Sequence, residues 1–135
     1  MKLRVVSLLL GMSLLIASPS TALAGGRHGP DLTFDGVLYI VRCSEAQMKI
    51  VVTVTNEGTA PAGPFAVELR VNGPPLGTRA VEGLRAGDSV DVRWIFPWNV
   101  EHTFLWDRER VDIEHQVAES DEGDNEWSDQ EDFFC

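Results

Sequence analysis

Carboxylate and amide side chains are concentrated towards the end of the sequence. Residues 107–132 contain 12 of the 21 acidic residues. Calcium takes about six to eight oxygen ligands in proteins, and a turn rich in carboxylates can supply several of them. The stretch therefore predicts calcium as a candidate cofactor, although it lacks the Asp-x-Asp-x-Asp-Gly spacing of a dedicated calcium loop. The candidate ligands are Glu119, Asp121, Glu122, Asp124 and Asn125.

A structural interpretation of the same acidic turn stays open beside the calcium prediction. Asp and Asn side chains often accept hydrogen bonds from backbone N–H groups a few residues away, and such bonds fix tight connections. Asp121 and Asn125 would then hold the connection into the last strand. In this interpretation the remaining carboxylates face solvent.

Trp98 is the candidate ligand-binding aromatic residue, because it follows Pro97 and lies outside any strand alternation. An exposed tryptophan on the rim of a domain can stack on a sugar or anchor a protein partner. The alternative is an indole that folds back and caps the core. His28, His102 and His115 lie in separate segments, where isolated surface imidazoles are more frequent than a convergent metal site.

No catalytic motif is present in the sequence, and we predict neither an enzyme nor catalytic residues. There is no Gly-x-Ser-x-Gly elbow and no glycine-rich phosphate loop. Paired carboxylates that hydrolyse glycosides need a cleft that holds them at a set separation. A short chain without long loops offers little room for such a cleft. No cofactor is therefore required by the sequence.

Cys43 and Cys135 are the only two cysteines of the chain. An even, minimal count in an oxidising compartment favours one disulfide. A loop of about 90 residues closed in this way would stabilise the fold by roughly 4–5 kcal/mol in the chain-entropy model. A metal-binding or catalytic pair is disfavoured, since the chain has no Cys-x-x-Cys spacing.

The first 24 residues have the pattern of a secretory signal peptide. Lys2 and Arg4 precede an uncharged apolar run over residues 5–17, and Ala22-Leu23-Ala24 has small residues at both positions that a signal peptidase recognises. The apolar run is shorter than the roughly 20 residues that span a bilayer. We expect cleavage after Ala24 and a secreted location, either extracellular or periplasmic.

Cleavage would leave 111 of the 135 residues, which is enough for one domain with a substantial core. The leader contains two of the 11 basic residues and no acidic one, so nine basic and 21 acidic residues remain, a net charge of −12. Such a surface repels nucleic acid and anionic lipid, and neither is expected as a partner. We predict a flexible lead-in over residues 25–30, a single domain over residues 31–135, and no membrane insertion after cleavage.

Residues 47–73 predict two β-strands around a loop rich in Gly and Pro. Apolar residues alternate with polar ones at a period of two in both runs, as in strands with one buried face. A phase change in the first predicted strand, residues 31–42, indicates a bulge at Gly36. Further strands are predicted at residues 76–81 (a short edge strand), 89–96 and 125–129. Residues 103–106 and 111–113 are interpreted either as one long strand or as two halves of it, with residues 107–110 as a charged interruption.

About seven short strands with regularly spaced turns favour an all-β sandwich of two sheets over a small closed barrel. Three segments carry a resemblance to a known family: VTVTNEGTAPAGPFAVELRVNG, LGTRAVEGLRAGDSVDVRWIF and VDIEHQVAESDEGDNEW. In this order they resemble the CARDB domain, a cell-adhesion-related domain found in bacteria. The most specific pieces are the Asn-x-Gly-Thr-Ala loop at residues 56–60 and the acidic turn at residues 119–125.

The resemblance implies an immunoglobulin-like β-sandwich of about seven antiparallel strands on a secreted or surface protein. It also implies a binding or spacer module without shared catalytic residues. From this we predict a non-catalytic binding or adhesion module that recognises a protein or a cell-surface polysaccharide. The alternative is a small periplasmic or extracellular inhibitor or accessory subunit that docks on an enzyme. An open aromatic platform at Trp98 would favour carbohydrate, whereas a bare strand edge at residues 76–81 would favour docking of a protein.

Overall fold

A computed structural model describes residues 28–98 and 104–135. The predicted signal peptide (residues 1–24), residues 25–27 of the predicted lead-in and His102 lie outside this part of the chain. No helix within the described residues is long and apolar enough to cross a membrane.

Two antiparallel sheets form the domain, as the alternating sequence pattern predicts. One sheet has three strands in the order β1-β2-β5, and the other has four in the order β4-β3-β6-β7. A short 3-10 turn, Cys43–Glu45, connects the first two strands. The strands are β1 (Leu32–Arg42), β2 (Gln47–Asn56), β3 (Phe65–Val71), β4 (Pro75–Val81), β5 (Ser89–Pro97), β6 (Phe104–Val111) and β7 (Glu126–Asp132).

The core lies between the facing sides of β2 and β3. β2 is the central strand of its sheet, so both of its edges are paired and its inner face can be covered completely. Every residue predicted to face inward on these two strands is buried, because the period of two places alternate side chains on one face. These residues are Met48, Ile50, Val52 and Val54 on β2, and Phe65, Val67, Leu69 and Val71 on β3.

Two local predictions have different outcomes. The register of β1 against β2 shifts between Phe34 and Gly36, which confirms the predicted bulge. Of the two alternatives for residues 103–113, one long strand is confirmed over residues 104–111 and two separate halves are wrong, since β6 runs through the charged residues 107–110 and pairs with both β3 and β7. Arg108 and Arg110 point away from the core and lie near Glu126 of β7, at 2.6 and 3.7 Å. The two arginines therefore occupy outward positions of a continuous strand, and Asp107 and Glu109 occupy inward ones.

The Asn56 side chain connects three segments at one end of the sandwich. Its Oδ1 accepts hydrogen bonds from the backbone N–H of Asp31 (3.0 Å) and Gly58 (3.1 Å). Its Nδ2 donates to the carbonyl oxygens of Ala60 (2.9 Å) and Leu84 (3.0 Å). The side chain is fully buried. All four of its hydrogen-bonding positions are used, which is what a buried amide requires.

The close surroundings of Gly58 show why this loop needs a glycine at that position. A Cβ atom at this position would lie 2.2 Å from the carbonyl oxygen of Gly29, so no side chain fits. The same Gly29 oxygen accepts hydrogen bonds from the N–H groups of Thr59 (2.8 Å) and Ala60 (3.2 Å). The end of the predicted flexible lead-in is therefore fixed against the loop, because Gly29 supplies the acceptor for two backbone donors.

Cys43 and Cys135 form a disulfide with a Cα–Cα distance of 5.7 Å. The bond ties the residue after β1 to the last residue of the chain, 92 positions away. Phe133 lies two positions before Cys135 in the sequence. The centroid of its ring is 5.3 Å from that of Tyr39 and 6.3 Å from that of Trp98. Because Asn56 and the cysteines lie at opposite ends of β2, each end of the sandwich has its own cross-link.

Replacing Asn56 by alanine should destabilise the domain by about 2–4 kcal/mol, because buried backbone donors and acceptors lose their partners. Urea unfolding monitored by tryptophan fluorescence measures the change. Thr78→Ala, at an exposed position of β4, is the control and should stay within about 0.5 kcal/mol of the wild type. An Asn56→Ala protein as stable as this control would contradict the proposed role of the amide.

Removing the disulfide with the double substitution Cys43→Ser/Cys135→Ser should lower the free energy of unfolding by about 4–5 kcal/mol in the chain-entropy model. Intact mass of the native chain should be two hydrogens below that of the reduced form. Two titratable thiols in the native protein would contradict the bond.

Candidate functional site

The acidic turn of residues 119–125 is bonded to the first strand rather than projecting freely into solvent. Glu119 Oε2 accepts a hydrogen bond from the backbone N–H of Leu32 at 2.7 Å. The backbone N–H of Ser120 donates to the carbonyl of Pro30 at 3.0 Å. Burial raises the pKa of Glu119 to about 7, although its hydrogen bonds from Leu32 and Asn125 favour the charged form. This carboxyl group thus anchors the turn to β1.

The other side chains of the turn are bonded mainly to one another. Asp121 Oδ1 accepts from the backbone N–H of Gly123 at 2.8 Å, as the structural interpretation predicts. Asn125 instead donates through Nδ2, to Glu119 Oε1 at 3.1 Å and Glu122 Oε2 at 3.4 Å. Glu122 Oε1 accepts from the backbone N–H of Glu119 at 3.1 Å. The main backbone acceptors are therefore Glu119, Glu122 and Asp121, two of which the structural interpretation had left in solvent.

A cleft of about 340 Å³ lies beside this turn. Its lining carries both signs of charge, including Arg110, His115, Glu122 and Glu126. His115 Nδ1 lies 3.4 Å from Glu122 Oε2, so one of the three histidines does approach the acidic turn. Over residues 28–98 and 104–135, however, no three His, Cys, Asp or Glu side chains are arranged to hold a metal ion. In this geometry the residues do not form a calcium site, and calcium binding stays a prediction.

Trp98 is only 6% exposed, and this burial corrects its interpretation as an open ligand-binding aromatic. The ring packs edge-on against Phe96 and Phe133, with centroid distances of 6.5 and 6.3 Å. Its backbone N–H donates to the carbonyl of Ala46 at 2.8 Å. The indole therefore caps the core near the disulfide, which is the alternative that the sequence left open. No open face remains on which a sugar could stack.

The outward side of the β1-β2-β5 sheet, which we call the outer face, exposes apolar side chains. Leu38 on β1 is 56% exposed and Ile95 on β5 is 59% exposed. Between them on β2 lie Lys49, the register partner of Ile95, and Val51, the register partner of Leu38. Ile40 of β1, which pairs with Lys49, completes the row. The sequence predicted strands here but gave no reason for apolar side chains on their solvent side.

The edges of β4 and β5 are bridged by side chains. β4 is an edge strand with mostly exposed residues, as the sequence predicts. Trp94 Nε1 donates to the carbonyl of Gly77 on β4 at 3.1 Å. Arg79 Nε donates to the carbonyl of Arg93 on β5 at 3.4 Å, and the Arg79 guanidinium lies 5.8 Å from the centre of the Trp94 ring. This side of the sandwich is consequently a less open edge for pairing with another strand than the sequence suggested.

Sequence reasoning missed a pair of buried acids on β6. Asp107 and Glu109 are both 0% exposed and lie two positions apart, on the inner side of the strand. The Tyr39 hydroxyl of β1 donates to Asp107 Oδ2 at 2.6 Å across the gap between the sheets. The signal was present in the sequence, since Leu105, Asp107, Glu109 and Val111 continue a period of two. The prediction does not use this signal, because it interprets the four consecutive charged residues 107–110 as an interruption of the strand.

A family model, CARDB, matches residues 29–129, which is most of the chain. A search of curated proteins finds no significant match to the sequence. Among solved structures, the crystal structure of the CARDB domain of a Pyrococcus furiosus protein, described as a complex with di-metal ions, superposes with a TM-score of 0.66 at 20% identity. The similarity covers 78% of this chain and 94% of that domain.

A solution structure from Methanosarcina acetivorans gives a TM-score of 0.68 at 22% identity. It is a domain of a protein provisionally described as a cell surface protein, and the similarity covers 78% of this chain and 92% of that domain. Both neighbours share the fold of seven antiparallel strands in two sheets, which confirms the immunoglobulin-like architecture expected from the sequence. CARDB is a family of non-enzymatic domains. With three quarters of its length matched by the family model, the chain belongs to the CARDB family.

Proposed function

We propose that the protein is a non-catalytic binding module that works outside the cytoplasm and recognises a protein partner through its outer face. The observation that carries this proposal is the apolar row of Leu38, Ile40 and Ile95 on the solvent side of the β1-β2-β5 sheet. Apolar side chains that are exposed singly are common, but neighbouring ones often mark a protein interface. The disulfide is consistent with an oxidising compartment.

The chemistry of the outer face favours a protein over a polysaccharide. Aliphatic side chains such as Leu38 and Ile95 offer apolar area but no flat ring on which a sugar can stack. Lys49 lies within the row, between Ile40 and Ile95, and the Arg93–Asp91 ion pair (3.2 Å) follows on β5, so charged groups accompany the apolar side chains. Among the described residues, Trp127 on β7 (49%) and Phe134 (82%) are exposed aromatic side chains, and the indole of Trp127 offers the larger ring surface. Polysaccharide binding, if it occurs, should therefore depend on Trp127.

Docking on an enzyme as an inhibitor or accessory subunit is a narrower version of the same function. It would use the same outer face, since the β4 and β5 edges are bridged through Arg79 and Trp94. The partner would then be a single enzyme in a stoichiometric complex. A reaction catalysed by the isolated protein would contradict both versions.

Calcium dependence is a second proposal. It is supported by the carboxylates of the acidic turn and by the description of the Pyrococcus furiosus domain as a complex with di-metal ions. Calcium would have to compete with the hydrogen bonds that Glu119, Asp121 and Glu122 already accept. The proposal therefore requires the turn to rearrange on binding.

The outer face is tested by capture from the envelope and medium of the producing cells, with the mature protein as bait. The double variant Leu38→Thr/Ile95→Thr should bind the captured protein at least about tenfold more weakly, the equivalent of about 1.4 kcal/mol, because it removes the apolar centre of the interface. Leu76→Thr is the matched control, since Leu76 is 37% exposed but lies on β4 of the other sheet. Titration of the purified partner by calorimetry measures the affinities.

Equal binding by the wild type and the double variant would contradict the outer face as the interface. Retention on a polysaccharide that is lost in Trp127→Ala would replace the protein partner by a sugar. Threonine suits both exposed strand positions, so the melting temperature of the double variant should stay close to that of the wild type.

Millimolar calcium should raise the melting temperature of the wild type if the acidic turn binds the ion, because a ligand that binds only the folded state stabilises it. The increase should disappear in Asp121→Asn/Glu122→Gln and persist in Asp132→Asn, a control at an exposed position of β7. No increase at millimolar calcium in the wild type would contradict the site.

A further inference from the structure

We propose that Asp107 and Glu109 share one proton inside the sandwich, so that the domain takes up a proton when it folds and is stabilised by acid. This inference is independent of the proposed binding function. It rests on the placement of two carboxyl groups in the core, on what surrounds them, and on which of their oxygens have a hydrogen-bond donor.

The two carboxyl groups occupy positions that belong to the apolar core. Both side chains are 0% exposed. On the neighbouring strand β3, the register partner of Glu109 is Leu69 and that of Asp107 is Val71, both buried and apolar. Water therefore does not solvate either carboxylate, and an ionised, unpaired carboxylate in such surroundings is strongly destabilising.

The hydrogen-bond pattern identifies the location of the proton. Asp107 Oδ2 has a donor, the Tyr39 hydroxyl. Asp107 Oδ1 and both oxygens of Glu109 have no donor among the residues that the structure describes. The two carboxyl groups lie within hydrogen-bonding reach of each other. Two ionised carboxylates cannot bond because both only accept, whereas a protonated Glu109 donates to Asp107 and satisfies both groups.

No described cation faces the pair to take the place of the proton. From β1 the facing group is the Tyr39 hydroxyl, and from β7 it is Asp129, the register partner of Asp107. The inner positions of β2 and β3 are apolar. Arg108 and Arg110 belong to the opposite side of β6, where they pair with Glu126. In the described part of the chain, the titratable groups around the pair are therefore acids. The Tyr39 hydroxyl stabilises one negative charge, on Asp107, and the Asp129 carboxylate disfavours a second one.

The electrostatics agree with this geometry. Burial, followed by the neighbouring Asp107, raises the pKa of Glu109 to about 9. Burial also raises the pKa of Asp107, although the hydrogen bond from Tyr39 opposes the shift. The pKa of the Tyr39 hydroxyl is raised too, by burial and by the hydrogen bond to Asp107, so it stays a donor.

The direction of the pH effect follows from the raised pKa of Glu109. The unfolded chain releases this proton near pH 4.5, and the folded domain keeps it until about pH 9. The stabilising contribution is therefore complete below pH 4.5, decreases between these two values, and is lost above pH 9. Glu119 acts in the same direction only up to about pH 7. The window between pH 7 and pH 9 accordingly reports on the Asp107–Glu109 pair.

The test compares urea unfolding of the wild type and Glu109→Gln between pH 5 and pH 9.5. A glutamine amide donates to Asp107 at every pH, as the protonated acid does. The unfolding equilibrium constant of the wild type should rise by up to about tenfold per pH unit between pH 7 and pH 9, and that of Glu109→Gln should not share this rise. Glu82→Gln, at an exposed position before β5, is the control and should keep the wild-type dependence.

Infrared spectroscopy of the native wild type gives a second readout that does not require the variant to fold. A carbonyl stretch of a protonated carboxylic acid should be present at pH 8 and should disappear above pH 9, and Glu109→Gln should lack it. Absence of this band in the native wild type at pH 8 would overturn the proposal. A wild-type pH dependence equal to that of Glu109→Gln would overturn it as well.

Discussion

The fully bonded amide of Asn56 is the interaction on which the rest of the fold depends. It holds the start of β1 through Asp31, the β2–β3 loop through Gly58 and Ala60, and the segment before β5 through Leu84. Without these bonds the N–H groups of Asp31 and Gly58 and the carbonyl of Ala60 would lose the amide as a partner, whereas the Leu84 carbonyl would keep only the N–H of Ala62. The close approach of Gly58 to Gly29 completes the same end, because only glycine leaves room for that carbonyl. This packing therefore explains the Asn-x-Gly-Thr-Ala sequence: the asparagine supplies the bonded amide, and the glycine leaves room for the Gly29 carbonyl.

The acidic turn of residues 119–125 lies at the same end of the sandwich as Asn56 and explains part of the acidic composition of the chain. Glu119 accepts the N–H of Leu32, one residue after the backbone N–H that Asn56 accepts. The consecutive residues Asp31 and Leu32 at the start of β1 are therefore held by two segments, the end of β2 and the turn that leads into β7 of the other sheet. At the far end of β2, the disulfide and the rings of Trp98 and Phe133 close the opposite side of the core. The Glu119 carboxylate, in a turn that the sequence makes look solvated, instead positions β1, an edge strand of its sheet.

The sequence predicts the fold well where burial and alternation agree, and fails where they conflict. On β2 and β3 the apolar residues occupy alternate positions, so the strands and their inward faces follow directly from the pattern. On β6 the alternation is intact, but Asp107 and Glu109 occupy the inward positions, and charge was taken as evidence of exposure. Trp98 could not be placed because its burial depends on Phe96 and Phe133, which only the folded chain brings together. The outer face could not be predicted from the sequence either, because an aliphatic residue in a strand does not show whether neighbouring side chains cover it.

Two departures from the usual distribution of side chains therefore remain in an otherwise regular sandwich: aliphatic residues on the outer face and acids in the core. Local misfits in a sequence that is elsewhere consistent with its fold tend to mark functional or strained sites. Leu38 and Ile95 lie outside the core, and their exposure is the observation that supports the proposed protein-binding outer face. Asp107 and Glu109 lie beside Val71 and Leu69 of the neighbouring strand β3. Apolar side chains at these two positions would pack without the need to bind a proton. With the shared proton proposed above, the two carboxyl groups make the domain less stable at alkaline pH and more stable as the surroundings become acidic.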